Sequence, residues 1–208
     1  MRGEHNNSVE LLGYYGSDET HALSAWTSTS RELTDEKRAR IPKLLRTLAE
    51  NGHGTPFEKS MLHFLVTTDV ATHIHIIKHR IAVPVNAESA RYKELKDDKF
   101  YLPHDWPADE QQRLLGWMEL ALKNYHEALE RLSPSLGRKR AKESARFYLP
   151  YANQISADVA FNFRSFIHFQ RLRNDDHAQL EVREVAVKML RLVRATNAFT
   201  ASLEAFDY

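Results

Sequence analysis

The sequence predicts an α+β fold, in which helices pack on a sheet rich in antiparallel pairing, over one domain spanning 1–208. Short segments alternate apolar and polar residues with the period of half-buried strands, and longer segments repeat apolar residues with the period of amphipathic helices. The 208 residues are 42% hydrophobic and 27% charged, which is ordinary for a globular chain and sufficient for one substantial core. The sequence contains no internal repeats and no low-complexity tracts.

The first elements are a strand and a helix. Residues 9–14 form a short strand in this interpretation, and 18–30 are mixed enough to be helical or irregular. From Asp35 to Gly52 the apolar positions fall on one helix side, and Gly52 is placed as the C-terminal stop. Proline removes a helical hydrogen bond and clashes with the preceding turn, so the main helix can instead begin at Pro42.

A strand, a helix and a loop are predicted next. Residues 60–68 alternate as a half-buried strand, and Asp69 is suited to cap the helix that follows. That helix, about 70–79, brings His79 to its C-terminal end, where the helix dipole favours cationic side chains. Residues 80–92 break both periods, so they are predicted to form a loop.

The second half of the chain begins with its most clearly amphipathic segment, a helix from Pro107 to about Leu132. A loop, a basic helix and a strand follow, over 133–137, 138–148 and 154–161. The next helix carries Arg164, and a last helix is predicted from about 177 to 205, where Asp176 and Gln179 have capping-box spacing.

The charge balance restricts the classes of partner. Lys and Arg total 29 and Asp and Glu total 28, whereas proteins that coat nucleic acid usually carry a clear basic excess. We therefore expect no nucleic-acid partner, and any anion binding has to be local.

The sequence has no cysteine, which excludes disulfides, thiolate metal sites and a cysteine nucleophile. No apolar run approaches the roughly 20 residues that span a bilayer, and the first ten residues lack the apolar stretch of a signal peptide. The sequence therefore predicts a soluble, cytoplasmic protein without a membrane partner.

Three short segments hold an unusual share of the residues that recognise phosphates and heterocycles, namely HGTPFE at 53–58, KHRIAVPVNAESARY at 78–92 and NFRSFIHFQRLRNDDHAQLE at 162–181. The first offers an imidazole, a hydroxyl and backbone N–H groups at a turn. The other two cluster Lys and Arg, whose hydrogen bonds to phosphates are charge-assisted. Arginines beside buried aromatics are costly to dehydrate, so the third segment predicts polyanionic ligands or acidic partners.

Simpler interpretations compete with this one. The first segment can be an ordinary turn, the second a solvated basic face, and Asp175 and Asp176 can neutralise the arginines of the third. A metal site at His73, His75 and His79 is disfavoured, because the first two point to different helix faces and no carboxylate has the right offset. A serine hydrolase is disfavoured because no GxSxG motif is present.

Taken in order, the three segments resemble the flavin-dependent thymidylate synthases. That family has a His-x-Thr-Pro-Phe-Glu segment, then Arg-His-Arg, seven residues and Ser, then Asn-x-Arg-Ser followed by Leu-Arg-x-Asp-x-His-Ala-Gln-x-Glu. The counterparts here lie at 53–58, at 78–80 with Ser89, and at 162–165 with 172–181.

The resemblance implies a homotetramer of α+β subunits, with each active site at an interface and containing FAD, dUMP and folate. NADPH would reduce the flavin, and the methylene of 5,10-methylenetetrahydrofolate would become the methyl group of dTMP. The absence of cysteine is compatible with this chemistry and excludes the thymidylate synthases that use a thiolate nucleophile.

Site residues are carried over by position. FAD would be held by Ser30, His53, Thr55, Lys78, His79, Arg80, Asn162, Arg164, His168 and His177. The nucleotide dUMP would be bound by His75, Glu88, Ser89, Arg91, Arg146 and Arg173. Of these, Arg173, His53 and Ser89 are the catalytic candidates, and Arg173 is the foremost because a guanidinium can bind an anionic pyrimidine and activate the ring.

The middle segment departs from the family pattern. Lys78 replaces an arginine, and eight residues instead of seven separate Arg80 from Ser89. Ala87 stands where an acidic residue is usual, and a bulge can bring Glu88 into its place. His75 and His168 stand where the family commonly has Gln and Asn. Two alternatives to dTMP synthesis therefore stay open: the same flavin chemistry on another deoxypyrimidine nucleotide, or hydroxymethylation of one, and nucleotide binding without catalysis.

Overall fold

The structure is a computed structural model that describes residues 5–89, 91–95 and 99–208. It is an α+β fold with a four-stranded antiparallel sheet in the order β1-β2-β4-β3. The strands are β1 (Ser8–Tyr15), β2 (Met61–Asp69), β3 (Val85–Ala87) and β4 (Gln154–Phe161). The helices are α1 (Asp18–Trp26), α2 (Asp35–Glu50), α3 (Val70–Ile77), α4 (Ala108–Ala145), α5 (Phe163–Arg173), α6 (Leu180–Ala195) and α7 (Thr200–Ala205). None of the helices in the described ranges is long and apolar enough to cross a membrane.

The chain forms two compact units. The first consists of the described residues of 1–8, 66–77 and 86–157, and the second of 9–65, 78–85 and 158–208. In the first unit, the two parts of α4 pack on each other through Tyr125, Leu129, Ala141 and Ala145, all of them buried. The core of the second unit is aromatic. The Phe163 ring stacks on the rings of Phe57 and Phe199, and the Phe57 ring also contacts a buried histidine.

The buried histidine, His21, is hydrogen-bonded on both ring nitrogens. Its Nδ1 lies 2.8 Å from Ser202 Oγ, and its Nε2 lies 2.8 Å from Ser60 Oγ. The Ser202 hydroxyl also donates to Asp18 Oδ1 at 2.5 Å. This chain of hydrogen bonds links α1 and α7 to Ser60, the residue before β2. Burial lowers the pKa of His21 to about 4, because a charged imidazole would be poorly hydrated there.

We expect the free energy of unfolding to fall as the pH drops from about 6.5 to about 4. In that window the unfolded chain protonates His21 and the folded chain does not, which costs roughly 3 kcal/mol over the full interval. Urea unfolding of the wild type and of His21→Gln at pH 7, 5.5 and 4.5 measures this. The variant should show a flatter pH dependence; equal slopes would contradict the assignment.

Several predicted elements are confirmed. The strands at 9–14, 60–68 and 154–161 are β1, β2 and β4 within one residue at each end. Asp69 caps α3 as expected, since its Oδ1 accepts the backbone N–H of Thr72 at 2.8 Å. Gly52 follows α2 with a φ of +71°, the left-handed conformation of a glycine stop.

Other predictions are wrong. Helix α2 runs without interruption through Pro42 instead of beginning there. Helix α3 ends at Ile77, so His79 lies beyond it, and part of the predicted loop at 80–92 is strand β3. The predicted loop at 133–137 lies inside α4, where Gly137 alone leaves the helical conformation, at a kink with φ +75°.

The predicted last helix is in fact two helices. Helix α6 ends at Ala195, and the segment before α7 contains Asn197 with a φ of +56°. The predicted capping box is also wrong, because the Gln179 side chain makes no cap hydrogen bond and donates instead to Glu181 at 2.7 Å.

Candidate active site

A pocket with a volume of about 770 Å³, within the usual range for small-molecule sites, lies in the second unit. Three stretches of chain form it. They are the turn after α2, with Gly52, Gly54 and Glu58, the segment 78–83, and α5 with the residue before it; Phe206 near the chain end also lines it.

The walls of this pocket are strongly cationic. Five side chains with a permanent positive charge line it: Lys78, Arg80, Arg164, Arg171 and Arg173. Glu58 is the one carboxylate among the described lining residues. Like charges at such density repel one another unless counter-charges are bound. The pocket is therefore suited to a ligand with several negative charges.

Arg164 lines the pocket, and contacts with its neighbours fix its position. Asn162 caps α5 by accepting the backbone N–H of Ser165 at 2.8 Å, which fixes the start of the helix that carries Arg164. The Arg164 Nη1 donates to Glu58 Oε1 at 2.7 Å. A Cβ on Gly54 would lie 2.7 Å from Arg164 Nε, so glycine is required for this close approach.

Arg173 and His79 form the most specific polar contact in the pocket. The Arg173 Nε donates to His79 Nε2 at 3.0 Å, and the His79 ring packs edge-on against Phe169 at 4.9 Å. Burial, with the charges of Arg173 and His168, lowers the pKa of His79 to about 4. His79 is therefore neutral at pH 7 and able to accept. Arg173 has no carboxylate within ion-pair distance in the described part of the chain, and its terminal Nη groups remain available for a ligand.

The sequence-predicted cofactor residues fall into two groups. Six line the large pocket: Lys78, His79, Arg80, Asn162, Arg164 and His168. His53 and Thr55 line a second pocket of about 370 Å³ instead, with Ser24, Ala25, Leu48 and Pro56. Ser30 and His177 line neither. The Ser30 carbonyl accepts from Lys37 Nζ at 2.6 Å, and the backbone N–H of His177 donates to Asp175 at 2.9 Å.

Five predicted substrate residues belong to the first unit. His75 is half-buried on α3, and Arg146 is exposed in the 3₁₀ turn after α4. The Arg91 guanidinium donates through Nε to Glu143 at 2.7 Å, and Ser89 Oγ accepts the backbone N–H of Arg91 at 3.3 Å. Glu88, the fifth, is enclosed by two lysines.

The competing interpretation of Asp175 and Asp176 as counter-charges is wrong for the pocket arginines. Asp176 pairs with Arg183 at 2.8 Å, and Asp175 accepts a backbone N–H. Arg171 also lines the pocket and shares a helix face with Arg164, as its spacing indicates, although the family pattern assigned it no ligand. Sequence reasoning missed Phe206, which nothing local marks and over whose ring the Arg171 guanidinium lies at 5.4 Å.

Comparison with known proteins gives a match over most of the chain. The model of the family described as thymidylate synthase complementing protein matches residues 10–197. A flavin-dependent thymidylate synthase from Pseudothermotoga lettingae is 32% identical over 92% of this chain and 87% of that protein. The chain belongs to the flavin-dependent thymidylate synthase family. The family match covers both units, although it stops short of α7.

Two further comparisons extend the family assignment. A flavin-dependent thymidylate synthase from Thermosipho melanesiensis is 30% identical over 96% of this chain and 91% of that protein. The crystal structure of the UMP/dUMP methylase PolB from Streptomyces cacaoi, bound with 5-Br dUMP, superposes with a TM-score of 0.80 at 28% identity. It covers 97% of this chain and 94% of that one. The chain is therefore similar to flavin-dependent thymidylate synthases in sequence and to the methylase PolB in fold.

Proposed function

We propose that the protein is a flavin-dependent thymidylate synthase that converts dUMP to dTMP. The methylene group would come from 5,10-methylenetetrahydrofolate, and the electrons from NADPH through FAD. One observation supports this proposal above the others. The chain belongs to the family and has a strongly cationic pocket, in which His79 accepts a hydrogen bond from Arg173 and orients it. As in the family, we propose a cytoplasmic homotetramer with active sites between subunits.

The residues of the large pocket fit FAD, whose pyrophosphate is anionic. Lys78, Arg80 and Arg164 supply charge, and the glycine at 54 lets the Arg164 guanidinium lie close to the backbone. Asn162 and His168 add further hydrogen-bonding groups. We assign Ser30, His53, Thr55 and His177 to the same cofactor through the family pattern alone. The flavin, when bound, supplies the reducing equivalents that complete the methyl group.

Arg173 is proposed to bind and activate the pyrimidine of dUMP. A guanidinium stabilises negative charge that develops on a ring carbonyl or nitrogen, and the effect is large where water is excluded. His79 accepts the Nε–H of Arg173, which helps to fix the guanidinium and leaves its two Nη groups for the nucleotide. His75, Ser89, Arg91 and Arg146 are proposed to bind the rest of the nucleotide, and His53 to lie near the transferring carbon.

Replacing His79 tests this alignment. His79→Phe keeps a ring against Phe169 but removes the acceptor for Arg173, so kcat should fall about 10- to 100-fold. His79→Gln retains an acceptor and should lose less. Steady-state kinetics at saturating dUMP with flavin added in excess measure both variants. Equal losses in the two variants would argue against the alignment role.

The proposed activity is tested first on the purified protein. We expect yellow protein, FAD released on denaturation, and dTMP formed from dUMP, methylenetetrahydrofolate and NADPH. Colourless protein that cannot be reconstituted with FAD would refute the proposal. Flavin-containing protein that binds dUMP without turnover would instead support the non-catalytic alternative.

A second candidate substrate is UMP. The methylase PolB, whose fold this chain shares, is named for both UMP and dUMP and has been crystallised with the 5-bromo derivative of each. Assays with dUMP, UMP and dCMP in parallel, with product masses, distinguish the acceptors and separate methylation from hydroxymethylation. Higher kcat/KM for UMP than for dUMP would replace the proposed substrate while leaving the flavin chemistry intact.

A further inference from the structure

Glu88, the residue before Ser89, is surrounded by protein donors that the family pattern does not predict. Glu88 has a side chain that is only 12% exposed, and both of its carboxylate oxygens have partners. Lys93 Nζ lies 2.9 Å from Oε1, while Lys99 Nζ and, at 3.2 Å, the backbone N–H of Ser156 donate to Oε2. The carboxylate is therefore already neutralised by protein groups.

We propose that Glu88 is a positioning residue, whose carboxylate is clamped by Lys93, Lys99 and Ser156 and thereby fixes the segment that presents Ser89 and Arg91 to the nucleotide. It replaces the alternative in which Glu88 itself contacts dUMP. The inference rests on the proposed function, because Ser89 and Arg91 are nucleotide ligands only under that proposal.

The backbone around Glu88 supports this role. The Glu88 N–H donates to the Ser156 carbonyl at 2.8 Å, so side chain and backbone are both fixed to one residue of β4. Ser156 is itself held, since its hydroxyl lies 2.9 Å from Thr67 Oγ1 of β2 and accepts from Lys99 at 3.0 Å. Glu88 thus has a rigid anchor on two strands of the sheet.

Backbone hydrogen bonds connect the clamp to Ser89, one of the predicted nucleotide ligands. The Ser89 carbonyl accepts the backbone N–H groups of Tyr92 at 3.0 Å and Lys93 at 3.2 Å, which brings Lys93 back to the Glu88 carboxylate. Arg91 lies between these residues, and Glu143 fixes its Nε. With eight residues instead of seven between Arg80 and Ser89, the loop needs such an anchor to keep Ser89 in a defined position.

Charge also disfavours direct contact between Glu88 and the nucleotide. Partial burial favours the neutral acid, but the two lysines and the backbone donor together outweigh it and hold the pKa of Glu88 down to about 2, so it is ionised at every working pH. An ionised carboxylate repels a nucleotide phosphate, and turning it toward a ligand would leave the partly buried Lys99 ammonium without its counter-charge.

A double-mutant cycle on the intact protein tests the clamp. Glu88→Gln, Lys99→Met and the double variant are compared with Glu94→Gln, whose carboxylate pairs with Arg138 outside the clamp. We expect KM for dUMP to rise about tenfold in each clamp variant, with kcat within about twofold and flavin content unchanged. The double variant should be no worse than either single one, since both remove the same contact.

Two results would overturn the clamp. One is a Glu88→Gln variant with wild-type KM. The other is a loss in Glu88→Gln with none in Lys99→Met, which indicates direct contact with the nucleotide. If the wild type does not turn over, calorimetric binding of 5-bromo-dUMP replaces KM as the readout. A wild type that neither turns over dUMP nor binds the analogue overturns the proposed function and the clamp together, whereas failure of the cycle in an active wild type overturns the clamp alone.

Discussion

Replacing Arg173 with alanine should abolish measurable dTMP formation while leaving the flavin bound. The expected loss in kcat is about 10²–10³-fold or more, the usual cost of removing one group that stabilises developing charge in a water-excluded site. Other cationic side chains also line the pocket. Among the described ones, Arg173 alone is shown with its guanidinium hydrogen-bonded to a neutral imidazole. The loss should therefore not be recovered by a neighbour.

The matched control is Arg183→Ala. Arg183 lies on α6, pairs with the highly exposed Asp176 and does not line the pocket, so its removal should change kcat by less than twofold. Kinetics and the flavin absorption spectrum are measured on both variants. Turnover by Arg173→Ala at the wild-type rate would refute the role given to this residue. Loss of flavin from the same variant would indicate that Arg173 binds the cofactor and not the nucleotide.

Local patterns predicted the elements whose boundaries depend on local chemistry. The alternating segments became β1, β2 and β4, and Asp69 caps the helix that follows it as predicted. A strand period or a cap is determined by a few adjacent residues, and it is readable for that reason. The same holds for the cluster at 162–173, because residues spaced by three and four share one face of a helix whatever the rest of the fold does.

Elements stabilised by distant contacts were not predictable in this way. The segment at 133–137 has the composition of a loop, yet the chain resumes its helix after Gly137, because Ala141 and Ala145 pack on Tyr125 and Arg138 pairs with Glu130 and Glu94. Helix α7 begins where Asp18, from the other end of the chain, accepts the backbone N–H groups of Ala201 and Ser202 at 2.8 and 2.7 Å. A local pattern contains none of these partners.

The same division applies to the site. The identities of Arg173 and His79 follow from the family resemblance, but their hydrogen bond joins residues 94 positions apart and is visible only in the structure. Glu88 was placed among the substrate ligands because an acidic residue is usual one position earlier. Its partners Lys99 and Ser156 lie 11 and 68 positions away in the sequence, so their contacts with Glu88 are visible only in the folded structure.

Removing the Arg164 guanidinium should release the flavin. Each charge-assisted hydrogen bond to a phosphate contributes about 1.5–3 kcal/mol, so Arg164→Ala should raise the Kd for FAD about 10- to 100-fold. Purified Arg164→Ala should accordingly contain much less flavin, and excess FAD should restore turnover. The absorbance ratio of flavin to protein and a titration of apoprotein with FAD measure the effect. Flavin retention equal to the wild type would contradict the placement of Arg164 against the cofactor.

Gly54→Ala tests the same contact without touching the charge. Gly54 has a φ of −75°, so alanine meets no backbone strain there, yet its Cβ would lie 2.7–2.9 Å from the Nε, Cζ and Cδ atoms of Arg164. The Arg164 side chain is more than half exposed, and its flexible end can shift away from a new Cβ, so the guanidinium should be displaced without loss of the fold and flavin affinity should fall in the same direction as in Arg164→Ala. Gly116→Ala is the control, because a Cβ at that position in α4 meets no atom within 4 Å. If flavin is lost from Gly54→Ala and retained by Gly116→Ala, the position of the Arg164 guanidinium, and not its charge alone, determines how tightly the cofactor is held.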